Sequence, residues 1–249
     1  MKKTRYKKIT SEFTNKTILV FGDLMLDKYL WGRTDRISPE APVPIVDVNQ
    51  IDYRPGGAAN VALNLSTLGC KVIVVGLIGS DPDGDNLLKQ LNKYNIDCNN
   101  IIISDSRHTT VKTRIMSQDQ QVIRADYEIK TDISTKSTKE LSNAVKSIIN
   151  NVDGLILQDY NKGILNANNI SSILDMANNE GKRIYVDPKK SNFSSFKGVR
   201  LFKPNLDEFY EGFSSNQDQI QNDGFQLKKE INTDIILITQ GAAGVSLFE

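Results

Sequence analysis

Apolar runs without a polar break recur along this chain, and stretches of helical spacing lie between them. Thr17–Phe21, Lys71–Ile78, Gly154–Leu157, Arg183–Val186, Leu201–Lys203 and Ile235–Thr239 read as strands. The unbroken β-branched density of Lys71–Ile78 marks a strand buried on both faces, as in a parallel sheet. Helices are expected over Gly56–Gly69, Asp85–Lys93 and Ser137–Ile149, within Ile164–Glu180, and in a polar segment closing at Gln226–Glu230. In the first of these, Val61, Leu65 and Leu68 share one face and Gly69 is a stop signal. Repeated strand–helix units of this length predict an α/β fold, a mostly parallel sheet wrapped by helices.

A second pattern does not fit that alternation. Ile45–Val48 and Gln50–Tyr53 alternate apolar and polar positions between prolines and glycines. Residues 108–127 do the same around a turn at Gln118-Asp119-Gln120. These are strands of the exposed type, either hairpins at the sheet edge or a separate small sheet. Asp81-Pro82-Asp83-Gly84 carries turn chemistry, and the Gln- and Asn-rich Ser214–Asn222 reads as a surface loop.

Composition narrows the class. The 249 residues are enough for one sizeable α/β domain with a small appendage. A net charge of +1 gives no general drive toward nucleic acid or a membrane surface. Five of the first eight residues are basic, and no apolar run follows them, so a solvated tail is expected rather than a secretory leader. No stretch approaches the roughly 20 apolar residues of a spanning helix. Cys70 and Cys98 lack metal-type spacing, and disulfide use is not expected, which fits a reducing cytoplasm. His108, the single histidine, sits among polar residues and is expected in a loop or strand.

The densest chemical signal is Arg54-Pro-Gly-Gly-Ala-Ala-Asn60, which leads into the first helix. Pro55 and Gly56-Gly57 are expected to break regular structure and let the backbone approach a ligand. The helix start presents free N–H groups, and Asn60 can donate to and accept from a hydroxyl. The same residues also fit a tight turn before a core helix. Asp27 follows the first strand, where open α/β sheets place ligands, and its carboxylate suits a polyol; it equally suits a cap. Pro204-Asn205-x-x-Glu208 reads as a helix start with an N-cap and its reciprocal glutamate, and its oxygens also suit Mg²⁺, directly or through water. Thr239 and Gly241 follow the last buried run in a glycine-rich loop able to cradle an anion. Lys189 and Lys162 could neutralise phosphate or simply be solvated. Neither Gly-x-x-x-x-Gly-Lys-Ser/Thr nor Gly-x-Gly-x-x-Gly occurs, which disfavours a P-loop kinase and a dinucleotide fold.

Together with its neighbours, the Arg54–Gly69 stretch resembles the first motif of the ribokinase-like (PfkB) carbohydrate kinases. Gly22-Asp-Leu-Met-Leu-Asp-Lys-Tyr29 and Arg36-Ile-Ser-Pro-Glu-Ala-Pro-Val-Pro44 are similar to that family's heptose 7-phosphate kinases of the ADP-heptose pathway. Thr113-Arg114 with Gln120–Asp126, then Asp159–Gly163, Val186–Lys189 and Lys203–Glu208, follow in family order. The likeness runs from about Ile18 to Glu249.

The resemblance implies a three-layer sandwich with helices on both faces of the sheet. A kinase domain would span 17–249 after a basic tail of 1–16, with a small β lid at about 33–55 and 108–127. It implies that Asp27, Gly56, Gly57 and Asn60 bind sugar hydroxyls. Asn205 and Glu208 would organise Mg²⁺ and phosphate, and Thr239 and Gly241, with Lys189 and Lys162, would lie near nucleotide phosphates. Arg114 and Arg124, on the lid strands, are expected to clamp the phosphate carried by the sugar, because arginine offers a bidentate fork. The implied partners are a sugar phosphate and ATP, and lid strands leave a homodimer open.

One departure bears on activity. The family's catalytic base is the aspartate of a Gly-Ala-Gly-Asp segment near its C-terminus, and these 249 residues do not contain it. Gly241-Ala-Ala-Gly244 corresponds to the family's earlier glycine loop. The expected reaction is phosphorylation of the heptose phosphate at O1, with this chain alone inactive or nearly so. Two alternatives stand: a kinase of another sugar or nucleoside, and a non-catalytic remnant that binds sugar phosphate or nucleotide.

Overall fold

The computed structural model describes residues 3–213 and 219–249. In chain order its strands are β1 (Thr17–Gly22), β2 (Leu24–Ile37), β3 (Pro44–Gly57), β4 (Lys71–Gly79), β5 (Asp97–Ser104), β6 (Thr110–Ser117), β7 (Gln120–Tyr127), β8 (Gly154–Gln158), β9 (Arg183–Asp187), β10 (Leu201–Phe202), β11 (Ile235–Thr239) and β12 (Val245–Phe248). The helices are α1 (Lys3–Ser11), α2 (Ala58–Thr67), α3 (Pro82–Lys93), α4 (Thr135–Ile148), α5 (Ala167–Asn179), α6 (Leu206–Phe213) and α7 (Ile220–Glu230). None of the described helices is long and apolar enough to cross a membrane.

The main sheet has the spatial order β12-β11-β10-β9-β8-β1-β4-β5, parallel throughout except for β12. Alternate residues of its strands enter two separate cores, which is why its apolar runs are continuous. Leu19, Phe21, Leu155, Leu157, Ile184, Val186, Ile236 and Ile238 pack with α4, α5 and α7 on one face. Val20, Val72, Val74 and Ile78 pack with α2 and α3 on the other. This is the three-layer sandwich expected. The second sheet, β3-β2-β6-β7, rises from the end of β1 as a lid, and its base (Leu24, Leu26, Val111) joins the α2–α3 core.

Several local expectations change. The lid begins at Leu24 rather than near residue 33, because β2 is a single 14-residue strand whose polar positions hide it. Pro55, Gly56 and Gly57 do not break β3; they pair with Leu26, Met25 and Leu24. Proline is tolerated there because β3 is an edge strand. Asp81–Gly84 is not a free turn but the cap and first turn of α3, with the Gly84 N–H donating to Asp81 Oδ1 at 2.8 Å. Strands β5 and β12 were not legible, since β5 opens on the polar Asp97-Cys-Asn-Asn100 and both lie at edges. The N-terminal segment is an exposed helix, α1, rather than a frayed tail. Of the expected loop 214–222, residues 214–218 lie outside the described residues, and 220–222 open α7.

Candidate active-site cleft

All parallel strands point their C-terminal ends to one edge of the sheet, and the lid leaves the core at that edge. Asp27 lies on β2, flanked in register by Arg54 of β3 and Lys112 of β6. The Arg114 guanidinium donates to Asp27 Oδ1 at 2.5 Å. Gly56 packs against the same carboxylate: a Cβ there would stand 2.8 Å from Asp27 Oδ2. Gly57 has φ +57° and would bring a Cβ to 2.4 Å from the Asp23 carbonyl, so only glycine fits. Asn60, in the first turn of α2, lines a cavity of about 770 Å³ together with Asp27, Tyr29 and Arg54. Asp27, Gly56 and Asn60 therefore converge at the base of the lid.

A second group gathers at the ends of β9, β10 and β11. Asn205 caps α6 and bridges to Thr239 across the strand ends, where Thr239 N–H donates to Pro204 O at 3.1 Å. Glu208 N–H donates to Asn205 Oδ1 at 2.8 Å, and Asn205 N–H donates to Glu208 Oε2 at 2.9 Å. The Glu208 carboxylate also accepts from the Lys189 ammonium. Gly241 takes φ +58° in the turn after β11. With Asn205 Oδ1 and both Glu208 oxygens engaged, the donor set does not fit direct ligation of a metal. Among the described residues no group of three His, Cys, Asp or Glu side chains could hold one. The arrangement fits a hydrated cation held at one remove.

Three residues that the sequence did not single out join the two groups. Asp23, 1% exposed, accepts on Oδ2 from the N–H groups of Tyr160 (2.8 Å) and Lys162 (3.2 Å). Its carbonyl accepts from Ala58 N at the start of α2, at 2.9 Å. Burial, with the Asp159 charge adding, pushes its carboxyl up to about 6 against the pull of those N–H groups. Asp159, also buried and raised by burial, accepts from Asn192 Nδ2 at 2.8 Å and Lys189 N at 3.3 Å. Arg107 donates to the carbonyls of Ile129, Thr131 and Lys162, tying the lid's exit to the loop after β8. Asp23 and Asp159 fall inside the Gly22–Tyr29 and Asp159–Gly163 motifs without a role being assigned to them there, and local sequence carries no signal for Arg107.

Lys162, expected near the nucleotide phosphates, lies elsewhere, and Arg124, expected on the lid, is there with a carboxylate partner. Lys162 is drawn to the lid, where its Nζ pairs with Glu128 at 2.9 Å. Arg124 pairs with Asp126 on its own strand at 2.9 Å. His108 stacks on Tyr127 with ring centroids 3.5 Å apart, and Cys70 and Cys98 are free thiols.

A mostly parallel three-layer sandwich with a four-stranded lid leaving the C-terminal edge of its strands is the ribokinase-like fold. The family model of the pfkB family carbohydrate kinases matches residues 15–249, and the chain belongs to that family. It is 38% identical over 245 residues to the bifunctional protein HldE of Sulfurimonas denitrificans, covering 97% of this chain and 51% of that protein. The HldE of Proteus mirabilis is likewise 38% identical over 241 residues, 96% of this chain and 50% of its own. The chain thus spans about half the length of the curated relatives it matches. Among solved structures, a carbohydrate kinase from Agrobacterium tumefaciens superposes with a TM-score of 0.71 at 19% identity, over 94% of this chain and 73% of that one. Arabidopsis thaliana ribokinase complexed with ribose and ATP gives 0.66 at 15%, over 94% and 74%.

Proposed function

We propose that this chain forms the sugar- and nucleotide-binding body of a cytoplasmic kinase that transfers the γ-phosphoryl of ATP to O1 of D-glycero-β-D-manno-heptose 7-phosphate. The observation that carries the reading is the placement of Asp27, Gly56 and Gly57 at the base of the lid, on the same sheet edge as Asn205, Glu208, Lys189 and Thr239. The Gly22–Tyr29 and Arg36–Pro44 motifs and the HldE relatives support the heptose substrate over other sugars.

In this reading Asp27, oriented by Arg114, accepts from sugar hydroxyls, and Asn60 adds a donor and an acceptor. The backbone beyond Thr239, with Gly241, takes the nucleotide phosphates, and Lys189 supplies a point charge beside them. Lys162, in the loop after β8, and Arg124, on the lid, are cations that a phosphate could draw from Glu128 and Asp126. Mg²⁺, when bound with ATP, would neutralise phosphate charge, with Glu208 and Asn205 fixing its water. Attack by O1 requires a base, and these residues contain no Gly-Ala-Gly-Asp segment to supply it. Positioned bases are worth about 10²- to 10⁴-fold in rate, so the 249-residue chain is expected to bind both substrates and turn them over at best slowly.

Calorimetry with ATP and with heptose 7-phosphate, beside a phosphoryl-transfer assay, tests the reading. Gly56→Ala is the informative variant, because its methyl would displace the Asp27 carboxylate. Sugar affinity should fall by about tenfold or more with ATP affinity kept, the loss of a charge-assisted hydrogen bond. Sugar affinity equal to that of the parent would count against the site. Failure of the parent to bind sugar would count against the function.

A further inference from the structure

The sugar-hydroxyl contacts do not account for the cavity of about 770 Å³ beneath β3. It runs from Asp27 and Asn60 past Tyr29 to Arg54, Gln90 and Lys93, between the lid and α3. We propose that this cavity takes the distal phosphate of the sugar, with Arg54 and Lys93 as its cationic ligands; the inference rests on the heptose 7-phosphate reading.

The direction of the substrate follows from the fold. The nucleotide group lies at the ends of β9, β10 and β11, beyond β8. The attacking O1 must face that side, so the phosphate at the other end of the carbon chain points the opposite way. In the lid, β7 flanks the nucleotide side, since Glu128 just after it pairs with Lys162 beyond β8. The opposite edge is β3, which lies against α3. A sugar seated on Asp27 therefore extends its distal end toward β3.

Charge compensation selects the same side. On β6 and β7 every cation facing the cleft already has a tight carboxylate partner. Arg114 donates to Asp27 at 2.5 Å, Arg124 to Asp126 at 2.9 Å, and Lys112 to Asp126 at 3.0 Å. On the β3 side the counter-charge is loose. Arg54 comes no nearer than 3.8 Å to Asp52, whose oxygens are taken up by Trp31 Nε1 at 2.9 Å and Gln50 Nε2 at 3.0 Å. Its guanidinium lies 4.5 Å over the Tyr29 ring, which fixes its plane and leaves its N–H fork for a ligand. Lys93 donates to Gln90 Oε1 at 3.2 Å and makes no ion pair among the described residues. A planar bidentate donor and a point cation across a wet cavity suit a phosphate monoester.

The test compares D-glycero-D-manno-heptose with its 7-phosphate by calorimetry on the full chain, and the readout is the ratio of the two Kd values. The parent should favour the phosphate. Arg54→Gln or Lys93→Gln should each cut that preference by about tenfold, and the double variant by about a hundredfold, as for charged hydrogen bonds. Residual binding of the unphosphorylated heptose reports that the variant is folded. A double variant that keeps the parent's preference would overturn the proposal, as would loss of the preference on Arg124→Gln instead. A parent that binds the sugar but ignores its phosphate overturns this inference alone, whereas a parent that binds neither overturns the function with it.

Discussion

Asp23 sits where the lid leaves the core, and three distant segments converge on it. Its Oδ2 accepts two N–H groups, while its Oδ1 is buried without a partner. A buried charge with one bare oxygen is costly, which is why its proton is held more tightly than in the unfolded chain. The folded pKa is about 6 and the unfolded one 3.8, so the stability from protonation is complete below 3.8 and lost as pH rises through 6. Across that window the folded chain loses up to about 3 kcal/mol. Asp23→Asn removes this titration. Urea unfolding between about pH 4 and pH 7 should show the variant gaining on the parent as pH rises. A difference independent of pH would show that Asp23 does not titrate there. Single residues were unevenly legible. Asp27, Gly56 and Asn60 announced themselves through residue type and spacing. Asp23, Asp159 and Arg107 did not, because their roles come from partners such as Tyr160, 137 positions from Asp23.

At the scale of elements, α6 shows how a local signal and a site coincide. Pro-Asn-x-x-Glu was legible as a helix start, and both reciprocal bonds of the capping box are present. The same glutamate meets Lys189, so the cap also positions the charge pair at the ends of β9 and β10, where the proposed function puts the nucleotide. Asn205→Ala should cost about 1 kcal/mol, a shift of about 2–4 °C in Tm, and should weaken ATP binding. Asn205→Asp should restore the stability, since aspartate caps equally well. Thermal unfolding with and without ATP checks both, and an alanine variant as stable as the parent would contradict the cap's role. Strands with continuous apolar runs were likewise legible. The 14-residue β2 was not, because half its length is a polar, half-exposed surface over the cleft.

The whole molecule adds what no element shows. Ile51, Leu30, Ile115 and Ile123 align in register across all four lid strands. Ile51 and Ile123 are 49% and 54% exposed, an apolar row that suits packing against a second lid. A homodimer through the lid, which the family resemblance leaves open, predicts that Ile51→Glu with Ile123→Glu yields a monomer. Light scattering after gel filtration checks this, and a parent that is itself monomeric at micromolar concentration would remove the case. The sequence by itself determined the buried strands, most helices, the cap of α6 and the residue types of the cleft, because periodicity and capping act within a turn or two of chain. Only the tertiary structure decided which charges are spent on one another, where the lid begins, and on which side of Asp27 the loosely compensated cations stand. Ion pairing and burial depend on segments far apart in the chain, and no local pattern encodes them.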